Sequence, residues 1–355
     1  QRFSTGCMAD LPVEIGGTVD RLAEQTFSVP ANALKEGRDI YVKLYPTPLP
    51  QMLDTLSGML RKPYGCFEQT CSVAYPNVLV LGYLQASGEL NPEIRKEALL
   101  RINESYQKLL TFESRSGGFG LYPGEKPTDK LSTCGLLLLN DMAKVFMSNR
   151  STIDQSAKYR KVIERTARYL EITQTGNGSW ENSLKITAYC TIALREAGYS
   201  NQTVNKACEY IIKHVGSNAN PYIMALCANA LSGIKPDETK IILDQLYKMM
   251  KSNQKYDWWE SHAGYGIFYS SGIGLDITTT ALAVSAFMKN NTYPDSIHRA
   301  MRWLYAQGLD HGTQTTIMSM RTMIPYAKTK AELHTKFKPF TFSFVTLWSL
   351  GRLWA

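Results

Sequence analysis

Cys66 stands three residues ahead of Gln69, with Gly65 before it, in the stretch Arg61-Lys62-Pro63-Tyr64-Gly65-Cys66-Phe67-Glu68-Gln69-Thr70. A thiol at that spacing, across a turn tightened by glycine, can reach the Gln69 amide carbon and expel ammonia, leaving an internal thioester. Such an acyl group is far more electrophilic than the amide, because sulfur donates weakly to the carbonyl and leaves as a thiolate of pKa about 8.5. An amine or hydroxyl attacking that carbon frees Cys66 and stays covalently attached. The event is single-use, a capture and not a turnover. Taken without its neighbours, a Cys ahead of a helix is more commonly a small buried hydrophobe. Cys71, five residues on, reads either as a second thiol near the site or as core packing.

Chemistry of this kind needs a rigid frame, and a helix start is suited to it, since its free N–H groups can support a tetrahedral oxyanion. Tyr64 and Phe67 are candidates for excluding water. Beyond Pro50 the chain repeats a two-helix theme. One series is amphipathic and charged: 95–110, 158–170, 204–214, 238–250 and 296–304. The other is apolar on all sides: 70–84, 132–142, 186–194, 222–231, 277–287 and 313–324. All-round apolar helices must be buried and striped ones must cover them, so the alternation predicts an all-α fold, an α/α toroid of two concentric layers. Glycine-bearing turns precede several inner helices, at Gly117-Gly118-Phe119-Gly120, Gly178-Ser179-Trp180 and Asp310-His311-Gly312.

The ends differ in texture. Ile40, Val42 and Leu44 alternate with Tyr41, Lys43 and Tyr45 as in a strand, and 337–345 alternates again before a helix-like 346–355. The expected division is a β segment of a neighbouring domain at 1–48, the toroid at 49–327 and a partly β return segment at 328–355. A start at Gln1 without a leader reads as the edge of a fragment.

Composition narrows the function classes. Thirty-nine Lys and Arg against 31 Asp and Glu give +8, spread along the chain, which favours a solvated surface over a nucleic-acid stripe. No apolar run approaches the roughly 18 residues of a membrane span. The seven cysteines show no CxxC pair and no zinc pattern, so no metal or cofactor is expected. Cys134, Cys190 and Cys227 fall in apolar helices, and a Cys208–Cys227 disulfide is possible. Sequons at Asn103, Asn149, Asn177, Asn201 and Asn290 favour a secreted glycoprotein.

Gln174-x-x-x-Gly178-x-Trp180 resembles the repeat of triterpene cyclases and related α/α toroids, but the inner helices lack the DxDD acid or the zinc set that cyclases and prenyltransferases need. Pro63-Tyr64-Gly65-Cys66-Phe67-Glu68-Gln69 resembles the thioester motif of the alpha-2-macroglobulin and complement family, whose thioester domain is an α/α toroid with the motif at a helix start. The resemblance covers roughly 50–327. Phe67 stands where animal members usually carry Gly, closer to bacterial-type members, as is Ser72-Val73-Ala74-Tyr75-Pro76-Asn77-Val78. The resemblance implies Cys66 and Gln69 as the thioester pair, supported by Pro63, Tyr64, Gly65, Phe67 and Glu68. It further implies an extracellular setting (or, for a bacterial member, periplasm or cell surface) and covalent capture of proteases or target surfaces bearing amines or hydroxyls. Protease inhibition or innate-immune tagging, together with other domains of a longer chain, would follow. A silent thioester on a non-covalent binding toroid is the alternative. In complement-like members a His more than a hundred residues after the Cys attacks first, and no His lies between Cys66 and His214, so the resemblance implies that amines are favoured over hydroxyls. His262 could approach from another repeat, although a surface-loop position suits it as well.

Overall fold

The computed structural model describes residues 62–87, 92–147, 153–216, 220–261, 264–308 and 311–333. The end segments, with their expected strands, and Cys7, Asn149, His262 and His334 lie outside the described residues. Within them the fold is all-α. Its helices are α1 (Phe67–Ser87), α2 (Pro92–Leu110), α3 (Asp129–Met147), α4 (Ile153–Thr173), α5 (Leu184–Glu196), α6 (Gln202–Val215), α7 (Pro221–Leu231), α8 (Pro236–Met249), α9 (Gly272–Lys289), α10 (Pro294–Gln307) and α11 (Thr313–Leu333).

Burial separates the two series as the patterns require. Every residue of α5 from Ile186 to Leu194 is buried, and so are Tyr222 and Met224–Leu231 of α7. In α6, by contrast, burial is confined to Val204, Ala207, Cys208, Tyr210, Ile211 and Val215, a single stripe at helical spacing. The odd-numbered helices pack on one another in sequence, and α11 returns to α1, so their contacts run in cyclic order. Each even-numbered helix packs on the odd-numbered helix before it. Helix starts are written locally: Ser183, Asn201 and Asn220 accept first-turn N–H groups, and Pro221, Pro236 and Pro294 occupy the first helical turn, where a missing N–H costs nothing.

The turns that enter the inner helices share one construction. Gly178 sits at φ +87°, and a Cβ there would lie 2.4 Å from the Lys206 carbonyl oxygen, so only glycine lets the turn meet α6. Gln174 Nε2 donates to the carbonyls of Gly178 (3.0 Å) and Thr203 (2.9 Å). The buried Trp180 donates its indole N–H to Leu170 O at 2.8 Å, closing the end of α4, and its backbone N–H to Thr187 Oγ1 of α5. Trp259 repeats this, with its indole on Leu246 O (2.7 Å) and its backbone N–H on Thr280 Oγ1 (3.0 Å). Phe119 does likewise with Ser132 Oγ (2.9 Å). At the third expected turn, His311 caps α10 through Gln307 O instead.

Two findings differ from expectation. Between α8 and α9 stands a short hairpin with no counterpart in the expected pattern, β1 (Lys251–Ser252) and β2 (Asp257–Trp258), whose turn is held by Asn253 Oδ1 accepting from Lys255 N and Tyr256 N. Cys208 and Cys227 are both free and buried, so the possible disulfide is absent and both pack as apolar groups.

Candidate functional site at the start of the first helix

Cys66 is the residue immediately before α1, and its carbonyl accepts the helical bond from Thr70 N at 2.9 Å. Neighbours fix the chain there. Phe67 N donates to Leu121 O at 3.0 Å, tying the helix start to the turn that precedes α3. Thr70, fully buried, donates its hydroxyl to Tyr64 O at 3.4 Å, and Ser72 Oγ donates to Gln69 O at 2.7 Å.

Gly65 makes the turn. Its φ is +69°, and a Cβ in its place would stand 1.7 Å from Gln69 Oε1 and 2.6 Å from Gln69 Cδ. The space a side chain would fill is where the Gln69 carboxamide lies. The Cys66 backbone N–H donates to Gln69 Oε1 at 3.0 Å, so the carboxamide folds back over the turn onto the cysteine backbone. Cys66 is half-buried and Gln69 exposed, which leaves the pair open to a reactant.

The other motif residues divide by role. Pro63 is buried beneath the turn and Tyr64 is 54% exposed. Phe67 points down into the core, fully buried, with its ring 5.9 Å from Phe112 and 5.2 Å from Phe119. It anchors the helix start in the core. Glu68 is half-buried and pairs with Lys130 of α3 at 3.6 Å. Lys130 is itself held over the rings of Phe268 (5.0 Å) and Tyr269 (4.8 Å). Lys130, Leu121, Phe268 and Tyr269 were not legible as site residues, since they arrive from other repeats and no local motif marks them.

Burial, then the contact with Cys134 and the neighbouring Glu68 and Cys66, pushes the Cys71 thiol well up. It stays protonated and packs in the core as a structural residue. The segment before α5 carries Glu181 and Asn182 in place of an imidazole, both left-handed at φ +53° and +48°. Burial and nearby Asp129 raise the Glu181 carboxyl, against the opposing pull of Lys130 and Lys185. Three histidines are described, and each bonds within its own surroundings: His214 to Tyr210 O, His298 to the Tyr326 hydroxyl and His311 to Gln307 O. Among the described residues no His, Cys, Asp and Glu group is arranged to hold a metal, and no helix is long and apolar enough to cross a membrane.

Comparison with known proteins follows the same residues. The family model described as "A-macroglobulin TED domain" matches residues 41–326. Thioester-containing protein 1 allele S1 of Anopheles gambiae is 23% identical over 316 residues, 82% of this chain and 22% of that protein. Alpha-2-macroglobulin-like protein 1 of Mus musculus is 21% identical over 333 residues, 87% and 23% respectively. Ovostatin of Gallus gallus is 22% identical over 301 residues, 77% and 20%. The chain thus spans under a quarter of the length of these relatives.

Proposed function

The chain belongs to the A-macroglobulin TED domain family, and on that premise we propose that Cys66 and Gln69 form an internal thioester that covalently captures an attacking nucleophile. The observation that carries the reading is the 3.0 Å hydrogen bond from Cys66 N–H to Gln69 Oε1 across the Gly65 turn. In bond formation the Cys66 sulfur adds to Gln69 Cδ, the C–N bond breaks, and ammonia leaves with the thiol proton. The oxygen that carries negative charge in the tetrahedral intermediate is the one already facing an N–H donor, at a distance suited to an oxyanion. In capture, an amine nitrogen attacks the same carbon, the C–S bond breaks, and Cys66 leaves as a thiolate that takes up the amine's proton.

No imidazole relay enters this scheme, so amines such as Lys side chains are favoured over hydroxyls. The 49–327 region acts as the capturing domain of a longer extracellular protein. It works with that protein's other domains against proteases or target surfaces, as in protease inhibition or innate-immune tagging, and does not turn over as an enzyme. The names of the Anopheles and Mus relatives are consistent with this setting.

Intact-mass measurement of fresh full-length protein tests it. A formed thioester is lighter than free Cys and Gln by about 17 Da, and methylamine adds about 31 Da to it, on Gln69, while releasing one thiol. A mass without the deficit and without a methylamine adduct would leave only the non-covalent binding alternative.

A further inference from the structure

The end of the helical ring away from Cys66 opens into a cavity of about 700 Å³. Its walls come from the later turns of inner helices, with Leu137, Ile192, Leu226, Leu282, Met288 and Met318 supplying apolar surface. Five cations reach it, Lys144, Arg195, Lys289, Arg321 and Lys328, against two carboxylates, Asp141 and Glu196, an excess of three positive charges.

Two cations are committed to the fold. Arg321 spans Asp141 and Glu196, one on each guanidinium nitrogen. Arg195 donates to the carbonyls of Asn229 (3.3 Å), Ala230 (2.7 Å) and Ser232 (2.5 Å), capping the end of α7. Lys144 reaches an Asp141 that Arg321 already holds, at 3.2 Å. Lys289 reaches Glu196 only at 3.9 Å, and no carboxylate among the described residues pairs with the exposed Lys328. Burial first, with Arg321, Arg195 and Lys144 nearby, lowers the Lys289 ammonium despite Glu196. Positive charge in a concave, low-dielectric space concentrates its field on whatever enters. The apolar walls include three methionines, Met288, Met318 and Met320, which adapt readily to irregular occupants.

We propose that this cavity binds an amphiphilic carboxylate, its apolar body against the Leu, Ile and Met walls and its carboxylate facing Lys144, Lys289 and Lys328. The volume lies within the range of small-molecule sites, roughly 300–1,000 Å³. The site is independent of the thioester, since Cys66 and Gln69 line no part of it.

Titration calorimetry with dodecanoate as probe tests the assignment, with dodecanol and acetate as partners lacking one half of the chemistry. Dodecanoate should bind saturably at one site, at least tenfold more tightly than dodecanol, with acetate undetectable. Lys289→Gln with Lys328→Gln should weaken dodecanoate tenfold or more with the helical fold retained by circular dichroism, whereas Cys66→Ser should bind as the parent does. Met318→Trp, which fills the cavity, should abolish binding. If that variant unfolds, the lysine pair decides. Equal affinity for dodecanol, no effect of the lysine pair, or binding of an acidic peptide but not of dodecanoate would each overturn the proposal.

Discussion

Replacing Gly65 with alanine separates the fold of the motif from its chemistry. The backbone penalty is that of one non-glycine residue in the left-handed region, about 1–2 kcal/mol. The new Cβ meets no backbone wall. What it meets is the Gln69 carboxamide, at 1.7 Å from Oε1, and Gln69 is exposed. The side chain therefore swings outward, giving up the bond to Cys66 N–H, which contributes roughly 1 kcal/mol. Stability should fall by about 2–3 kcal/mol, a shift of about 4–12 °C in melting temperature for a unit of this size. Thioester formation should fall much further, because the reactive rotamer is excluded by a clash and not merely disfavoured. Every 1.4 kcal/mol of lost population is tenfold in rate, so less than a tenth of the parent's thioester is expected. Intact mass and methylamine incorporation on full-length protein read the chemistry, and scanning calorimetry reads the fold, with Cys66→Ser as the folded, unreactive control. A Gly65→Ala protein that keeps the mass deficit and the full methylamine adduct would refute the argument from the turn.

Other substitutions probe the support. Phe67→Ala empties a fully buried site between Phe112 and Phe119 and should cost about 3–5 kcal/mol, lowering the urea midpoint without changing the slope. Arg321→Met leaves Asp141 and Glu196 without their shared cation and should cost about 3–5 kcal/mol at pH 7. Burial alone would raise the Glu196 carboxyl, but Arg321, Lys289 and Lys144 outweigh it and hold it down at about 2. Because its folded value lies below its unfolded value of about 4.3, this contribution is complete above pH ~4.5 and lost as pH falls through ~2. Urea unfolding of the parent should therefore show a decline over that window, of order 3 kcal/mol, and Arg321→Met a flatter one. In a secretory host, Asn103 should carry glycan, since it is exposed and uses only its oxygen, accepting from Lys158. Asn290 should not, since its amide nitrogen donates to both Ser232 Oγ and Ala286 O. Peptide mapping after deglycosylation in heavy-oxygen water distinguishes the two.

What was legible in the sequence was whatever is decided locally. The burial of Ile186–Leu194 follows from a run with no charge on any face, and the role of Gly178 and Trp180 from their place between two such runs. Gly65, Cys66 and Gln69 are neighbours along the chain, so the turn that joins them could be read before the fold was known. What was missed depends on which repeats meet. The link of Glu68 to Lys130, the seating of Lys130 on Phe268 and Tyr269, and the Arg321 triad join residues far apart in sequence. The aromatic character of Phe67 is visible in the sequence, and the direction of its ring into the core is not. The same holds for the sequons at Asn177, Asn201 and Asn290, whose amides are engaged in a turn, a helix cap and an interhelical bond.

The two ends of the described ring of helices are unlike because the inner helices point the same way. Contacts between their first turns, Glu68 with Lys130 and Thr315 with Gly274 O, put helix starts together, while Arg321, Asp141 and Glu196 meet at later turns. Aligned helices add their dipoles, each equivalent to about half a positive charge at the start and half a negative charge at the finish. The starting end therefore favours developing negative charge, which is where Cys66 and Gln69 stand. The finishing end accumulates carbonyls, and the sequence places arginines and lysines there. Arg195 on the α7 carbonyls is the direct case. On this argument the place proposed for the thioester, at the start of an inner helix, follows from the same parallel arrangement that favours cations around the opposite cavity. Moving the motif to an inner-helix end would lose both the free N–H donors and the favourable field.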